Sequence, residues 1–218
     1  MTRPALLFDL DGTLLDTLDD LVDAVNGALL AMGRPQRTRR EIRRFLGNGT
    51  ARLIELCLPQ GTRDPVYAAC QAEMKRRYAA GMKRKTRPYP GILPLLDRLK
   101  AAGYPLAVIS NKFNAAVQGL CADFFPGYFD AVIGEGEGVR RKPYPDGVLA
   151  ALSLLGRPQK EAWYIGDSEV DFQTAQAAGM DCILVSWGFR DREELSAFGC
   201  PVADTIEELE LQIAKKGS

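Results

Sequence analysis

Residues 8–17 read FDLDGTLLDT and follow directly on the apolar triplet Ala5-Leu6-Leu7. An extended chain turns alternate side chains to opposite faces, so Asp9 and Asp11 project the same way from the carboxyl end of a strand. In open parallel sheets that edge is where ligands bind. Asp11-Gly12 also fits a hairpin turn, but a stretch of helical period comes next and leaves such a turn no second strand to serve. Two carboxylates held together repel each other unless a cation or a proton intervenes. The stretch points to a functional site at the end of a buried first strand.

Short apolar runs rich in Val, Ile, Leu and Phe recur at residues 5–8, 105–109, 128–133, 163–165 and 182–185. Between the later runs lie segments of helical period, such as Ile92, Leu95, Leu96 and Leu99, then Val148, Leu149, Leu152 and Leu155. This alternation predicts an α/β fold with a Rossmann-like parallel sheet core and helices on both faces. The first strand breaks the rhythm. Leu18, Leu21, Val22, Val25, Leu29 and Met32 fall at helical spacing, with Thr17-x-x-Asp20 resembling a capping box ahead of them. Further helical stretches follow around residues 39–46, 51–58 and 66–80. The pattern predicts an all-helical insertion over residues 15–88 in a core formed by residues 1–14 and 89–218.

Composition narrows the chemistry. The chain has 218 residues, 46% hydrophobic and 26% charged, as expected of a protein that folds unaided. No apolar run approaches a membrane span, and residues 1–4 lead into a strand rather than a signal peptide, which predicts a cytoplasmic protein with no membrane partner. The five cysteines are scattered without a Cys-x-x-Cys pair, and histidine is absent. The lack of histidine excludes Ser-His-Asp and Cys-His mechanisms, so an acid or base must be a carboxylate, Lys, Tyr or Cys. Residues 34–87 hold 15 Lys or Arg against four acids, while the rest of the chain holds 13 against 24. For any one arginine a solvated helical surface is the simpler reading, but the basic insert as a whole draws anions.

The other strand ends repeat the first. Residue 109 is followed by Ser110-Asn111-Lys112, where a helix is expected to begin. Ser110 suits a helix N-cap as well as it suits a phosphate cradle built with helix-start N–H groups. After residue 133 comes GEGEGVRRKPYPD, in which Lys142 stands on a loop stiffened by Pro143 and Pro145. After residue 165 comes GDSEVD, with Asp167 and Asp171 at a helix start, where acids are also favoured for their own sake. Each stretch has an ordinary local explanation. Their joint occurrence at the carboxyl ends of strands of one sheet argues for a single site.

As a set, Asp9-Leu10-Asp11-Gly12-Thr13, Ser110-Asn111, Lys142 and Gly166-Asp167-Ser168-x-x-Asp171 resemble the four motifs of the haloacid-dehalogenase-like phosphohydrolases, in order and across essentially the whole chain. The insert resembles that family's helical cap, and Gly47-Asn48-Gly49 resembles the cap loop of phosphoglycolate phosphatases. The resemblance implies that Asp9 attacks phosphorus to form an aspartyl phosphate and that Asp11 is the general acid and base. It also implies Mg²⁺ as cofactor, with Asp9 and Asp167 as side-chain ligands, Asp11 ligating through its carbonyl and Asp171 supporting from nearby. Ser110, the Asn111 N–H and Lys142 hold the phosphoryl oxygens in that scheme. Gly12 and Thr13 complete the substrate loop, and Asn48, Gly49 and Arg52 are the expected cap contacts.

The implied substrate is a small phosphorylated metabolite, phosphoglycolate-like. A β-phosphoglucomutase-like mutase or an inorganic pyrophosphatase shares this chemistry, although Thr13 suits the phosphatases, since the mutases more often resemble Asp-Gly-Val or Asp-Gly-Ile. A nucleic-acid-binding role for the basic insert is disfavoured by its few aromatics, Phe45, Tyr67 and Tyr78. A monomer or a homodimer is expected.

Overall fold

The computed structural model describes residues 3–216. In chain order these form β1 (Ala5–Phe8), β2 (Leu15–Asp16), α1 (Leu18–Ala31), α2 (Arg39–Phe45), α3 (Gly49–Cys57), α4 (Tyr67–Gly81), β3 (Arg87–Pro88), α5 (Ile92–Ala101) and β4 (Leu106–Phe113). There follow α6 (Asn114–Phe124), β5 (Ala131–Glu135), α7 (Asp146–Leu155), β6 (Ala162–Gly166), α8 (Glu169–Ala177), β7 (Asp181–Val185), α9 (Arg192–Ser196), β8 (Val202–Ala203) and α10 (Ile206–Lys216). Packing divides the chain into two units, one running up to Leu15 and resuming at Pro88, the other comprising Asp16–Arg87.

The first unit is a six-stranded sheet in the order β5-β4-β1-β6-β7-β8, parallel throughout. β1 therefore lies at the centre, with Leu7 opposite Ala107 on one side and Tyr164 on the other. Strand alternation sorts its residues onto two apolar layers. Leu6 and Phe8 join Leu95 and Leu96 of α5, Val117 and Leu120 of α6, and Leu209 and Ile213 of α10. Ala5 and Leu7 join Val148 and Leu152 of α7, Ala175 of α8 and Leu195 of α9. Burial on both faces explains why the central strands read as unbroken apolar runs.

Two local expectations give way. β4 does not end at Ile109; it continues as far as Phe113 through a register shift, and α6 starts only at Asn114, so Ser110 is not a helix N-cap. The turn after Asp11 does meet a strand, since Leu15–Asp16 pairs with Arg87–Pro88 in a short two-stranded sheet.

In the helical unit, α1 packs along α4, and α2 lies against α1 and α3. The expected Thr17-x-x-Asp20 capping box does not form. Thr17 makes no side-chain cap, and Asp20 is recruited by the chain returning at the other end of the unit. Its carboxylate accepts from the Thr86 N–H and the Thr86 hydroxyl, both at 2.9 Å, and from the Lys85 N–H at 3.0 Å. A long-range partner with three donors outcompetes a local cap. Among the described residues no helix is long and apolar enough to cross a membrane.

Asp20 and Thr86 are both buried, so Asp20→Ala strands donors that water does not reach, at about 2–3 kcal/mol. Thermal denaturation should show Tm lower by roughly 4–10 °C. Asp19→Ala, which removes an exposed ion pair to Arg39, should leave it within about 2 °C.

Candidate active site

The carboxyl ends of β1, β4 and β6, with the loop after β5, bring most of the residues singled out in the sequence to one edge of the sheet. β1 hands over to Asp9, whose N–H still donates to the Ile165 carbonyl at 2.8 Å and so keeps the strand register beyond Phe8. Asp9 Oδ1 accepts from the Leu10 N–H at 2.7 Å and faces Lys142 Nζ at 2.8 Å. The same ammonium reaches Asp171 Oδ1 at 2.7 Å. The Lys142 side chain is 5% exposed and that of Asp171 is fully buried.

Asp171 caps its own helix. Oδ2 accepts from the Asp167 and Ser168 N–H groups at 3.1 Å and from the Ser168 hydroxyl at 2.7 Å. Asp167 Oδ2 accepts from the Phe189 N–H at 2.6 Å, and Oδ1 from the Thr13 hydroxyl at 3.3 Å. One carboxylate oxygen from each of Asp9, Asp167 and Asp171 lies within 4.8 Å of the others.

Three buried carboxylates thus meet one buried ammonium. Burial pushes Asp9 up to about 7 despite the opposing pull of Lys142, with Asp171 adding repulsion. Burial also raises Asp167 well above the usual carboxylate range, reinforced by Asp171 and Asp9. Burial alone would depress Lys142, but Asp171 and Asp9 reverse that and hold it protonated. Fully ionised, the three carboxylates would carry more negative charge than the one lysine neutralises, and the raised Asp9 and Asp167 are the result. The cluster's donors are all hard oxygens, which suits a small divalent cation.

Glycines make this crowding sterically feasible. A Cβ on Gly12, which sits at φ +88°, would lie 2.3 Å from Asp167 Oδ2, and one on Gly166 would lie 2.3 Å from the Asp171 side chain. A Cβ on Gly188 would meet both Asp167 Oδ2 and the Gly12 carbonyl at 2.3 Å. The space beside the carboxylates is closed to any side chain.

Other expected residues take parts the sequence does not specify. Ser110 is buried at the same edge, where its Oγ accepts from the Lys112 N–H at 3.1 Å. The Asn111 side chain brackets the backbone of Lys142, accepting from its N–H at 2.6 Å and donating to its carbonyl at 3.1 Å. Lys112 Nζ pairs with Asp11 Oδ1 at 2.8 Å, which brings a second lysine into the site. The clue was available: Ser110 and Lys112 are two apart in an extended strand and share a face. Trp187, Gly188 and Phe189 were also missed, although only Ser186 separates them from a recognisable strand, β7. Trp187 Nε1 donates to the Thr13 carbonyl at 3.0 Å, and the next arginine, Arg190, ties this loop to α8 through Glu169 at 2.8 Å.

Asn48, Gly49 and Arg52 belong to the helical unit. Gly47-Asn48-Gly49 joins α2 to α3 with both glycines at positive φ, and Arg52 pairs with Glu55 at 2.7 Å.

A family model described as haloacid dehalogenase-like hydrolase matches residues 6–185. A phosphoglycolate phosphatase of Mesorhizobium japonicum is 32% identical over 220 residues, covering 99% of this chain and 97% of its own. One from Rhodobacter capsulatus is 37% identical over 191 residues, 86% of each chain. A crystal structure from Lactobacillus delbrueckii subsp. bulgaricus superposes with a TM-score of 0.93 at 38% identity, covering 98% of this chain and 99% of that one. CbbY from Rhodobacter sphaeroides in complex with phosphate gives a TM-score of 0.78 at 29% identity, covering 95% and 96%.

Gly188→Ala tests the crowding around Asp167. With the added methyl 2.3 Å from a carboxylate oxygen and from a backbone carbonyl, Asp167 has to turn away. Titration calorimetry with Mg²⁺ tests Asp167 as a cation ligand: affinity at least about tenfold below wild type is expected, and affinity equal to wild type would argue against that role.

Proposed function

The chain belongs to the haloacid dehalogenase-like hydrolases and is a phosphoric monoester hydrolase of that type, and we propose that it hydrolyses a small phosphomonoester, phosphoglycolate or a close analogue, with Mg²⁺ and an aspartyl phosphate on Asp9. The observation that carries this reading is the buried Lys142 spanning Asp9 and Asp171 beside Asp167.

A carboxylate nucleophile must be aimed and kept ionised. Lys142 and the Leu10 N–H both bond Asp9 Oδ1, which fixes the carboxylate plane and leaves Oδ2 to attack phosphorus. Asp9 and Asp167, with the Asp11 carbonyl, would hold the Mg²⁺. Bound there, the cation offsets the excess negative charge and lets a phosphate dianion approach. Asp171 keeps Lys142 in place while saturated by its own helix start. Ser110, the Asn111 N–H and the Lys142 charge receive the phosphoryl oxygens.

Asp11 is two residues beyond the nucleophile and is assigned to protonate the leaving oxygen, then to deprotonate the water that attacks the phosphoenzyme. It begins tethered to Lys112, so the acid–base step exchanges that partner for the leaving oxygen. The core residues recognise phosphate and cation, which assigns leaving-group selection to the helical insert, with Asn48, Gly49 and Arg52 as its proposed contacts.

The relatives named phosphoglycolate phosphatase support this substrate over a mutase or pyrophosphatase reaction. CbbY, whose variant is solved with xylulose-1,5-bisphosphate at 30% identity to this chain, makes a sugar bisphosphate the second candidate.

Phosphate release should stop with EDTA and return with Mg²⁺, and in a metabolite panel phosphoglycolate should outrank sugar bisphosphates by kcat/KM. Asp9→Asn should keep the wild-type circular dichroism spectrum and lose at least about 10³-fold in kcat. Turnover near the wild-type rate in that variant would sink the covalent mechanism, whereas a bisphosphate preference would redirect only the substrate.

A further inference from the structure

β7 and β8 pair in parallel with Leu184 opposite Val202 and Val185 opposite Ala203. Two residues back along each chain stand Cys182, within β7, and Cys200, in the segment that enters β8. Neighbouring strands lie about 4.8 Å apart, inside the Cα separation that a disulfide spans. Both cysteines line one cavity of about 300 Å³ together with Trp163, Phe172 and Phe198. Cys182 is buried and Cys200 partly exposed, so an oxidant in solvent meets Cys200 first. The pair lies at the amino end of β7, away from the catalytic edge.

We propose that Cys182 and Cys200 form a reversible dithiol–disulfide pair, an oxidative modification site that ties β7 to the segment entering β8. The oxidant is hydrogen peroxide, and the proton lost by the Cys200 thiol completes the first water. The Cys200 thiolate attacks a peroxide oxygen, the O–O bond breaks, and hydroxide leaves to become water, giving a sulfenic acid on Cys200. The Cys182 sulfur then attacks the sulfenic sulfur; the S–S bond forms, the S–O bond breaks, and the departing hydroxide takes the Cys182 proton as a second water. Two electrons pass from the two thiols to the peroxide.

Selectivity has a physical basis. The neighbouring Cys182 thiol holds the Cys200 thiol below its ordinary range, and a thiolate is the reactive form. Burial pushes Cys57 and Cys121 up to about 12 and raises Cys70 as well. The chain between the paired cysteines contains Trp187, Gly188 and Phe189, so the cross-link closes the base of the loop that holds Asp167.

The full-length reduced protein, treated with hydrogen peroxide, alkylated under denaturing conditions and digested, should yield a peptide joining Cys182 to Cys200, with Cys57, Cys70 and Cys121 still alkylated. Dithiothreitol should restore both thiols. The oxidised protein should melt about 5–10 °C higher, and Cys200→Ser should abolish both the cross-link and the gain in Tm. In Cys182→Ser, Cys200 should persist as a sulfenic acid that dimedone traps. Recovery of wild-type Cys200 as sulfenic or sulfinic acid without a cross-link, or oxidation spread evenly over the five cysteines, would overturn the pairing. A cross-link that leaves Tm unchanged would overturn the tie between β7 and β8.

Discussion

Lys142 stands between two carboxylates that have almost no access to water, and the catalytic edge is built around keeping it there. Removing an ion from water costs several kcal/mol even after relaxation, and the cost is offset only when partners and hydrogen bonds are well placed. Asp171 meets that demand by filling Oδ2 with donors from its own helix start and turning Oδ1 to the lysine. The lysine is held from behind as well. Asn111 grips both the N–H and the carbonyl of Lys142 from the stretch of β4 between Ile109 and Phe113, where its register with β5 shifts. A backbone irregularity in one strand thus fixes the position of a charge on a different loop.

The neutralisation is incomplete, and the remaining imbalance is what gives the site its chemistry. A cluster satisfied by lysines alone would have no use for a cation or a phosphate. Here burial raises Asp9 to about 7 and raises Asp167 well above the usual carboxylate range, an electrostatic cost that a positive charge beside them would relieve. The glycines at 12, 166 and 188 belong to the same design: carboxylates this close to backbone leave no room for a methyl group. What a sequence reader takes for flexible loop residues are positions of close approach.

The parts of this arrangement that were legible in the sequence are those written in local pattern. Buried strands show as apolar runs, and Asp9, Ser110, Lys142 and Asp167 follow the runs they belong to, so a shared edge could be inferred before any coordinates. Partnerships made across the fold were not legible. Asn111 and Lys142 are separated by 31 positions, Thr13 and Asp167 by 154, and no period or spacing encodes such pairs. Asp20 shows the same limit from the other side: its spacing from Thr17 is right for a cap, yet Thr86 and Lys85 claim it. The short strand β8 and the loop at 187–189 lacked a long apolar run or a charged motif and passed unmarked.

The position of β1 has a further consequence for how the molecule is made. Leu6 pairs with Leu106 on one side and Trp163 on the other, so β1 lies inside the finished sheet between two strands that are both synthesised well after it. During synthesis it emerges as four apolar residues with no neighbour, followed by the whole helical unit before β4 exists. Contacts this distant delay folding and leave an unpaired strand edge open to association with other chains. The nascent chain is therefore most vulnerable at the segment that leads into Asp9, a demand on chaperones or translation rate that a sheet built in sequence order would not make.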